Sequence, residues 1–181
     1  MCGIIAAASS RNVGKLLVQG LHRMEYRGYD SAGIALHQED KVAHLRTLGK
    51  VKLLEEKMIQ EKPRSKLGIA HTRWATHGEP SEINAHPHKS QDSVYIVHNG
   101  IIENYVELRE GLKKDGYEFI SQTDSELIAH LLDLYINQGQ SMIDAMYSAK
   151  EKLEGAYAIA AIDIKDNTKL VIARNLSLIH I

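Results

Sequence analysis

The stretch MCGIIAAA, residues 1–8, places the one cysteine of the chain directly behind the initiator methionine. The apolar run Gly3–Ala8 predicts a short strand that opens the fold. Removal of Met1 would leave Cys2 with a thiol beside a free α-amine. A thiol titrates near ~8.5 and an α-amine near ~7.7–8.0, so the amine can accept the proton that the thiol loses to become a nucleophile. The ordinary alternative is a small buried residue in a first strand, and other segments must decide between the two.

Length and composition predict a single soluble domain. The chain has 181 residues, and its 22 Lys+Arg nearly balance 23 Asp+Glu without a run of like charge, which argues against a nucleic-acid or membrane-surface partner. A single cysteine excludes an internal disulfide and is typical of a reducing compartment. The longest apolar run, Ala156–Ile162, is too short to span a bilayer, and residues 3–8 are too short for a signal-peptide core. We therefore expect a cytoplasmic protein.

Hydrophobic periodicity predicts an α+β fold with antiparallel sheets, because helices and strands occur in clusters and do not alternate strictly. Asn12 is a candidate helix cap, and Thr123-x-x-Glu126 matches a capping box. The predicted helices begin after Asn12 and continue at 51–60, 103–114, 127–136 and 141–153. The predicted strands after the first lie at 34–37, 42–48, 66–71, 93–98, 156–163 and 169–173, the first two of them forming a hairpin.

The polar segment 72–92, between two predicted strands, has no usable periodicity, and a loop of this length in a compact domain favours a functional role. Together with the preceding His71, this segment begins with the sequence HTRWATHG, residues 71–78. Arg73 offers a rigid fork that matches a carboxylate, and the Trp74 indole could cover a small bound molecule. Taken singly, these residues have an ordinary alternative, a surface arginine beside a core tryptophan.

Two further segments, Asn99-Gly100 and Asp124, have both an ordinary structural interpretation and a functional one. Asn99-Gly100 is foremost a hairpin-turn signal, but a side-chain amide and a glycine N–H at a strand end also suit a developing oxyanion. Asp124 lies at a predicted helix start, where a carboxylate interacts favourably with the helix dipole. The same carboxylate could bind an ammonium group.

Ten histidines raise a metal hypothesis. Five of them lie between residues 71 and 98: His71, His77, His86, His88 and His98. His86-Pro87-His88 could chelate an ion. The spacing is neither the helical i, i+4 pair nor a cysteine-based pattern that zinc sites usually show. The sequence therefore favours a protein without a metal or another cofactor.

Five segments together resemble a known family. They are MCGI (1–4), YRGYDSAG (26–33), HTRWATHGEP (71–80), NAHPH (84–88) and HNGIIEN (98–104). They resemble the N-terminal glutaminase domain of the hexosamine-forming glutamine–fructose-6-phosphate aminotransferases, which are class II glutamine amidotransferases. The Cys-Gly-Ile start and the Asn-Gly pair are shared across class II enzymes, whereas the second and third segments are much narrower. The resemblance runs from residue 2 to about residue 174.

The resemblance implies an N-terminal-nucleophile (Ntn) hydrolase fold, an αββα sandwich with two antiparallel sheets. It implies an incomplete type-2 glutaminase domain over residues 2–174, with the C-terminal strands and the sugar-isomerase domain missing. Residues 175–181 depart from the family pattern and form an atypical tail that could be foreign sequence. The complete enzyme would be a homo-oligomer that needs no cofactor.

The resemblance also implies a role for each candidate residue. Cys2, with its α-amine as the base, would attack the side-chain amide of L-glutamine, and Asn99 with the Gly100 N–H would form the oxyanion hole. The substrate-binding residues would be Arg73 for the α-carboxylate, Asp124 for the α-ammonium, Thr76 and His77 in the pocket wall, and Trp74 on a loop that closes over it. In the complete enzyme the released ammonia would convert fructose 6-phosphate to glucosamine 6-phosphate. The alternative is an inactive fragment or a non-catalytic glutamine-binding module.

Overall fold

Two four-stranded antiparallel sheets lie at the centre of the fold, which the computed structural model describes over residues 2–75, 78–91 and 93–176. The strands are β1 (Gly3–Ala8), β2 (Ser31–Gln38), β3 (Lys41–Leu48), β4 (Leu67–Arg73), β5 (His88–Ser90), β6 (Val94–Gly100), β7 (Tyr157–Asp163) and β8 (Asp166–Asn175). The first sheet has the order β1-β4-β2-β3, and the second has the order β5-β6-β7-β8. Every neighbouring pair in both sheets is antiparallel.

Helices cover the outer face of each sheet. The helices are α1 (Gly14–Met24), α2 (Val51–Glu61), α3 (Tyr105–Lys114), α4 (Glu126–Asn137) and α5 (Met142–Lys150). One apolar cluster joins α1 and α2 to the first sheet, and a second joins α4 and α5 to β6 and β7. A third cluster, which includes Ile69 of β4, Val97 of β6 and Ala160 of β7, fills the space between the sheets. The layering is therefore αββα, and the predicted α+β sandwich is confirmed.

Strand β4 lies inside the first sheet and β6 inside the second, and both strands end at the same edge of the sandwich. Gly3, the first residue of β1, pairs with Thr72 near the end of β4. The side chains of His71 and Asn99, near the ends of β4 and β6, form a hydrogen bond between the two sheets. The start of β1 and the ends of β4 and β6 thus meet, although they are far apart in sequence.

Each predicted helix and strand has an observed counterpart, with ends that differ by up to three residues, and the one strand that was not predicted lies in the segment 72–92. The hairpin is present as β2 and β3, with a two-residue turn at Glu39 and Asp40. The segment 72–92, however, contains the end of β4 and the short strand β5. A strand of three residues, with buried polar side chains at His88 and Ser90, is too short and too polar to produce a hydrophobic period.

The predicted capping box at Thr123 is wrong. Helix α4 begins at Glu126 with Ser125 as its N-cap, and the Thr123 hydroxyl pairs with His88 Nε2 at 3.1 Å. The Glu126 carboxylate accepts hydrogen bonds from the main-chain N–H groups of Ile120 and Ser121 at 3.0 and 2.7 Å. The segment before the helix is buried, so its polar groups satisfy one another and do not cap a solvent-exposed helix end.

The start of α1 also differs in detail from the prediction. Its N-cap is Val13, and the Asn12 side-chain oxygen accepts from the N–H groups of Gly14 and Ser65 at 3.3 and 3.1 Å. Asn12 therefore ties the helix start to the segment that precedes β4. In the described part of the chain, no helix combines the length and the apolar character needed to cross a membrane.

Candidate active site

Cys2 lies at the edge where β1 begins and β4 ends. The main-chain N–H of Trp74 donates to Cys2 Sγ at 3.2 Å, and the sulfur is 3.6 Å from the Trp74 carbonyl oxygen. The Asn99 side-chain Nδ2 donates to the Cys2 carbonyl oxygen at 3.4 Å. Cys2 is only partly buried. The sulfur is thus held in position by the segment after β4 while it remains accessible to a small molecule.

Asn99 is oriented by a histidine from the other sheet. His71 Nε2 lies 2.8 Å from Asn99 Oδ1, and His71 is 1% exposed. A carbonyl oxygen can only accept, so the imidazole N–H donates here. The amide therefore turns its oxygen toward His71 and its nitrogen toward Cys2.

Gly100 occupies a position that only glycine fits. Its φ of 137° lies outside the region that L side chains adopt readily, and a Cβ would lie 2.1 Å from the Ala156 carbonyl oxygen. Asn99 and Gly100 pair with Ala158 and Tyr157 of β7, after which the chain runs on to α3. The hairpin-turn alternative for Asn99-Gly100 is therefore wrong: the pair ends a central strand beside Cys2.

Arg73 is buried and holds the segment that follows it. Its guanidinium donates to the carbonyl oxygens of Gly78 and Glu79 at 3.2 and 3.3 Å, and Nη1 lies 3.7 Å from Asp30 Oδ1. The residue is 4% exposed. A guanidinium has five N–H donors in a fixed fork, so an arginine that organises this loop can also bind a carboxylate. Carboxylate binding by Arg73 stays a prediction.

Asp30 was missed by the sequence analysis, which used the segment 26–33 for its resemblance and interpreted it as a turn with two glycines, although residues 31–33 belong to β2. Asp30 Oδ2 accepts a hydrogen bond from the main-chain N–H of Ala75, and Oδ1 accepts from Ser31 Oγ at 2.9 Å. The Asp30 main-chain N–H donates to the Arg73 carbonyl oxygen at 2.8 Å. One aspartate therefore anchors both ends of the tripeptide 73–75. An acidic residue in a two-glycine turn was the available signal.

The Trp74 indole is half exposed and lies over Gly28. A Cβ on Gly28 would lie 2.1 Å from Trp74 Cζ3, and the φ of Gly28 is 87°. Glycine is thus required at this position by both the backbone and the ring. Closure of the Trp74 loop over a substrate stays a prediction.

Asp124 is buried beside the end of β6. Its Oδ2 accepts from the Ile102 main-chain N–H at 2.9 Å, and its Oδ1 accepts from Ser125 Oγ at 3.3 Å. Ser125 Oγ in turn pairs with His98 Nδ1 at 2.8 Å. An ionised carboxylate offers about four acceptor sites, so these contacts leave capacity for an ammonium group. The binding of an α-ammonium by Asp124 stays a prediction.

Asn84 and Gln122 connect the segment that follows Arg73 to the segment that precedes Asp124. The sequence analysis gave neither amide a role. Asn84 Nδ2 donates to the Glu79 carbonyl oxygen and to Gln122 Oε1, both at 3.0 Å. The Gln122 main-chain N–H donates back to Asn84 Oδ1 at 2.9 Å. Arg73 binds the Glu79 carbonyl, and Gln122 precedes Asp124 by two residues. This amide pair therefore fixes the spacing between the arginine and aspartate segments.

The histidines behind the site are buried and electrically neutral, and three of their rings are in contact. The His86 ring lies between those of His71 and His88, with centroid distances of 4.1 and 4.5 Å. Burial lowers the pKa of His71 and His88 to about 3 and that of His98 to about 4, and it holds the pKa of His86 well below its usual range. Over residues 2–75, 78–91 and 93–176, no set of three or more His, Cys, Asp or Glu side chains is arranged to hold a metal ion.

Some predicted residues lie outside the described part of the chain. Thr76 and His77, expected in the pocket wall, belong to this group, as do residues 177–181 of the atypical tail.

A family model described as a glutamine amidotransferase domain matches residues 71–178. The chain belongs to this glutamine amidotransferase family. Three curated relatives of this amidotransferase domain are glutamine–fructose-6-phosphate aminotransferases (isomerizing). Those of Vibrio parahaemolyticus and Haemophilus influenzae are each 52% identical to it, and that of Pseudomonas putida is 51% identical, in each case over 97% of the chain. The chain spans 29% of the length of each relative.

Solved structures share the architecture of this amidotransferase domain. The glutamine phosphoribosylpyrophosphate amidotransferase of B. subtilis, in complex with ADP and GMP, superposes with a TM-score of 0.80 at 23% identity. A structure of the allosteric regulatory enzyme of purine biosynthesis superposes with a TM-score of 0.82 at 25% identity. Each match covers 97% of this chain and 37% of the other. The predicted Ntn amidotransferase fold is confirmed.

Proposed function

We propose that this domain hydrolyses L-glutamine to glutamate and ammonia, with Cys2 as the nucleophile. One observation carries the proposal: Cys2 lies against the end of β6, where Asn99 Nδ2 is 3.4 Å from the Cys2 carbonyl oxygen. Cys2 thus lies beside the Asn99 amide and the Gly100 main chain, and a nucleophile with nearby N–H donors has the parts that acyl transfer requires. Membership of the amidotransferase family makes the amide of glutamine the substrate group.

The proposed reaction proceeds in two halves. After removal of Met1, the α-amine of Cys2 takes the thiol proton, directly or through water, and the thiolate attacks the amide carbon. The carbonyl electron pair moves to oxygen, where Asn99 Nδ2 and the Gly100 N–H stabilise it. The amine returns the proton to the leaving nitrogen, and ammonia departs with cleavage of the C–N bond. Water then attacks the glutamyl thioester, which yields glutamate and restores the thiol.

Opposite charges at the two sides of the site orient the substrate. In the proposed complex Arg73 binds the α-carboxylate and Asp124 binds the α-ammonium. The pair formed by Asn84 and Gln122 keeps these two groups at a fixed separation. A fixed separation places the amide carbon of glutamine at the sulfur, whereas the shorter side chain of asparagine falls one methylene short.

The fate of the ammonia is proposed from the curated relatives, of whose length this chain spans 29%. The names of the curated relatives support transfer to fructose 6-phosphate, which would give glucosamine 6-phosphate in the complete protein. We also propose that the complete protein forms a homo-oligomer. A free thiol stays reduced most readily in a reducing compartment, and on this ground the proposed reaction is assigned to the cytoplasm.

The proposal is tested by an assay of the purified chain with glutamine labelled with ¹⁵N in the side-chain amide. We expect labelled ammonium and glutamate in equal amounts, with asparagine as the unreactive control substrate. Intact mass is measured on the same sample, and activity should follow the fraction from which Met1 has been removed. Calorimetric binding of glutamine without ammonium release would instead identify a non-catalytic binding module. Full activity with Met1 retained would contradict the role of the α-amine.

Replacing Arg73 by alanine is expected to raise the KM for glutamine by about 10- to 100-fold, with a smaller change in kcat. The substitution removes a charge-assisted contact to the α-carboxylate, and such a contact contributes about 1.5–3 kcal/mol. Steady-state kinetics of ammonium release measures both constants.

Arg46→Ala is the matched control for this substitution. Arg46 donates to the carbonyl oxygens of Ile83 and Ala85 at 3.1 and 3.2 Å, so it supports the same loop and has no proposed contact with the substrate. Its KM should stay within about twofold of the wild-type value. An unchanged KM in Arg73→Ala would remove the proposed role of Arg73.

A further inference from the structure

We propose that His71 is a positioning residue for the oxyanion hole, because its Nε2–H fixes the Asn99 amide with Nδ2, and not Oδ1, toward the reacting carbon. The inference rests on the proposed glutaminase function and adds a residue to it. His71 belongs to β4 of the first sheet and Asn99 to β6 of the second. The oxyanion hole is therefore assembled across the two sheets.

A side-chain amide needs such a device because its two ends have nearly the same shape and opposite hydrogen-bonding character. Half a turn about the last side-chain torsion of Asn99 would exchange Nδ2 for Oδ1. An oxygen in that place would repel the developing oxyanion that the nitrogen stabilises. The side chain therefore acts as a donor only if the surroundings select one of its two orientations.

The contacts of Asn99 show which neighbour makes the selection. His71 Nε2 is 2.8 Å from Oδ1, near the optimal length for a hydrogen bond. The bond from Nδ2 to the Cys2 carbonyl oxygen is 3.4 Å long and therefore weak. It also engages only one of the two amide hydrogens, so the other can point toward substrate. The histidine contact is the stronger constraint on the orientation.

His71 is itself held firmly. It lies between two partner strands, paired with Ile4 of β1 and Gly33 of β2, and its ring stacks on that of His86. The ring is 1% exposed, and burial lowers its pKa to about 3, so it is neutral near pH 7 and carries one N–H. A proton on Nε2 selects the donor orientation of Asn99. A proton on Nδ1 would leave Nε2 as an acceptor and favour the reversed amide.

The test compares His71→Leu and His71→Gln with the wild-type chain. Glutamine can place an amide N–H where Nε2–H stands, whereas leucine removes the donor. We expect His71→Leu to lower kcat by about 100-fold, the range for loss of an oxyanion donor, with KM within about twofold. His71→Gln should recover kcat to within about fivefold of wild type. The rates are expressed per active site, counted by alkylation of the single cysteine.

His37→Leu and His37→Gln form the matched control pair. His37 is a histidine of similar burial near the far end of β2, and its Nε2 lies 2.7 Å from the Ile164 carbonyl oxygen. Loss of this hydrogen bond should lower thermal stability and leave kcat per alkylated site unchanged.

Equal kcat values for wild type and His71→Leu would overturn the inference. Equal losses in His71→Leu and His71→Gln would also overturn it, since they would assign His71 a packing role. A third measurement needs no turnover: ¹⁵N chemical shifts of the His71 ring should show a proton on Nε2, and a proton on Nδ1 would refute the proposal. Failure of the glutaminase function appears separately, as absence of Cys2-dependent ammonium release from the wild-type chain.

Discussion

Replacement of Cys2 by alanine is expected to abolish glutamine hydrolysis, with a fall in kcat on the order of 10⁴-fold or more. The substitution removes the atom that forms the thioester, and no other group can replace it, because the chain has a single cysteine. Loss of a covalent nucleophile costs on the order of 10⁴–10⁶ in kcat in hydrolases of known mechanism. Release of ammonium from glutamine over several hours measures the residual rate.

The binding of glutamine separates loss of chemistry from loss of structure in this variant. Arg73 and Asp124 are proposed to hold the two charged ends of the substrate, so Cys2→Ala should bind glutamine with an affinity close to that of the wild type. Isothermal titration calorimetry measures that affinity. In the wild-type chain, rapid acid quenching and mass spectrometry should detect a glutamyl adduct on the peptide that contains Cys2. Turnover by Cys2→Ala at the wild-type rate would refute the mechanism.

The free energy of unfolding is expected to fall steeply as the pH drops below about 6.5. Burial lowers the pKa of four histidines from the ordinary value of 6.5: His71 and His88 to about 3, His98 to about 4, and His86 to well below that ordinary value. Between these values and 6.5, the unfolded chain binds protons that the folded chain does not. Their contribution to stability is therefore complete above pH 6.5 and is lost as the pH falls toward 4.

The size of this effect is comparable with the whole stability of a domain. Each such histidine removes about 1.4 kcal/mol per pH unit below its unfolded pKa, so four together give a slope near 5 kcal/mol per unit. Small domains have about 5–15 kcal/mol in total, and acid unfolding should therefore fall between about pH 4 and 5.5. Glu126 acts in the same direction below pH 4.5: burial opposes its charge, but the neighbouring His130 ring and the hydrogen bonds from Ile120 and Ser121 outweigh burial and lower its pKa to about 2.

Urea denaturation at a series of pH values from 7.5 to 4.5 measures the slope. His98→Asn removes one titrating ring and keeps an N–H donor for Ser125. The unfolding free energy of this variant should therefore fall less steeply with pH, by about 1.4 kcal/mol per pH unit. His22→Gln is the control, because Glu25 and Glu55 raise the pKa of His22 despite its partial burial, and this histidine does not contribute to acid instability. An unfolding free energy that stays constant from pH 7 to 5 would contradict the prediction.

Much of the fold was predictable from sequence because its strands are buried and its helices are periodic. The hairpin of β2 and β3 and the helix after Ser141 were found in this way, the latter with the Ser141 hydroxyl accepting from the Asp144 N–H. The strand β5 was not found, because His88 and Ser90 are polar residues buried by tertiary contacts. Hydrophobic periodicity along the sequence does not indicate that a polar residue is buried by tertiary contacts.

For the candidate site, the sequence suggested the reacting groups, whose roles stay predictions, but not the groups that hold them. The residue types of Cys2, Asn99 and Arg73 permit this chemistry, and the resemblance to a known family assigned it to them. Asp30 and His71 act through partners 45 and 28 residues away, Ala75 and Asn99 respectively. Such pairings depend on which strands become neighbours, and that is decided by the packing of the two sheets. The residue type at a single position does not indicate which distant residue will be its partner.

On the proposed binding mode, the bonds that Arg73 makes in the free protein would favour free glutamine over glutamine within polypeptides. Its guanidinium donates to two neutral carbonyl oxygens, those of Gly78 and Glu79. A ligand that replaces them must offer a stronger acceptor, and a carboxylate, with its full negative charge and matching geometry, attracts a guanidinium more strongly than a neutral carbonyl oxygen does. On the proposed binding mode, free glutamine meets this condition and a glutamine residue inside a peptide does not. The proposed reaction would then leave the side-chain amides of glutamine residues in proteins intact.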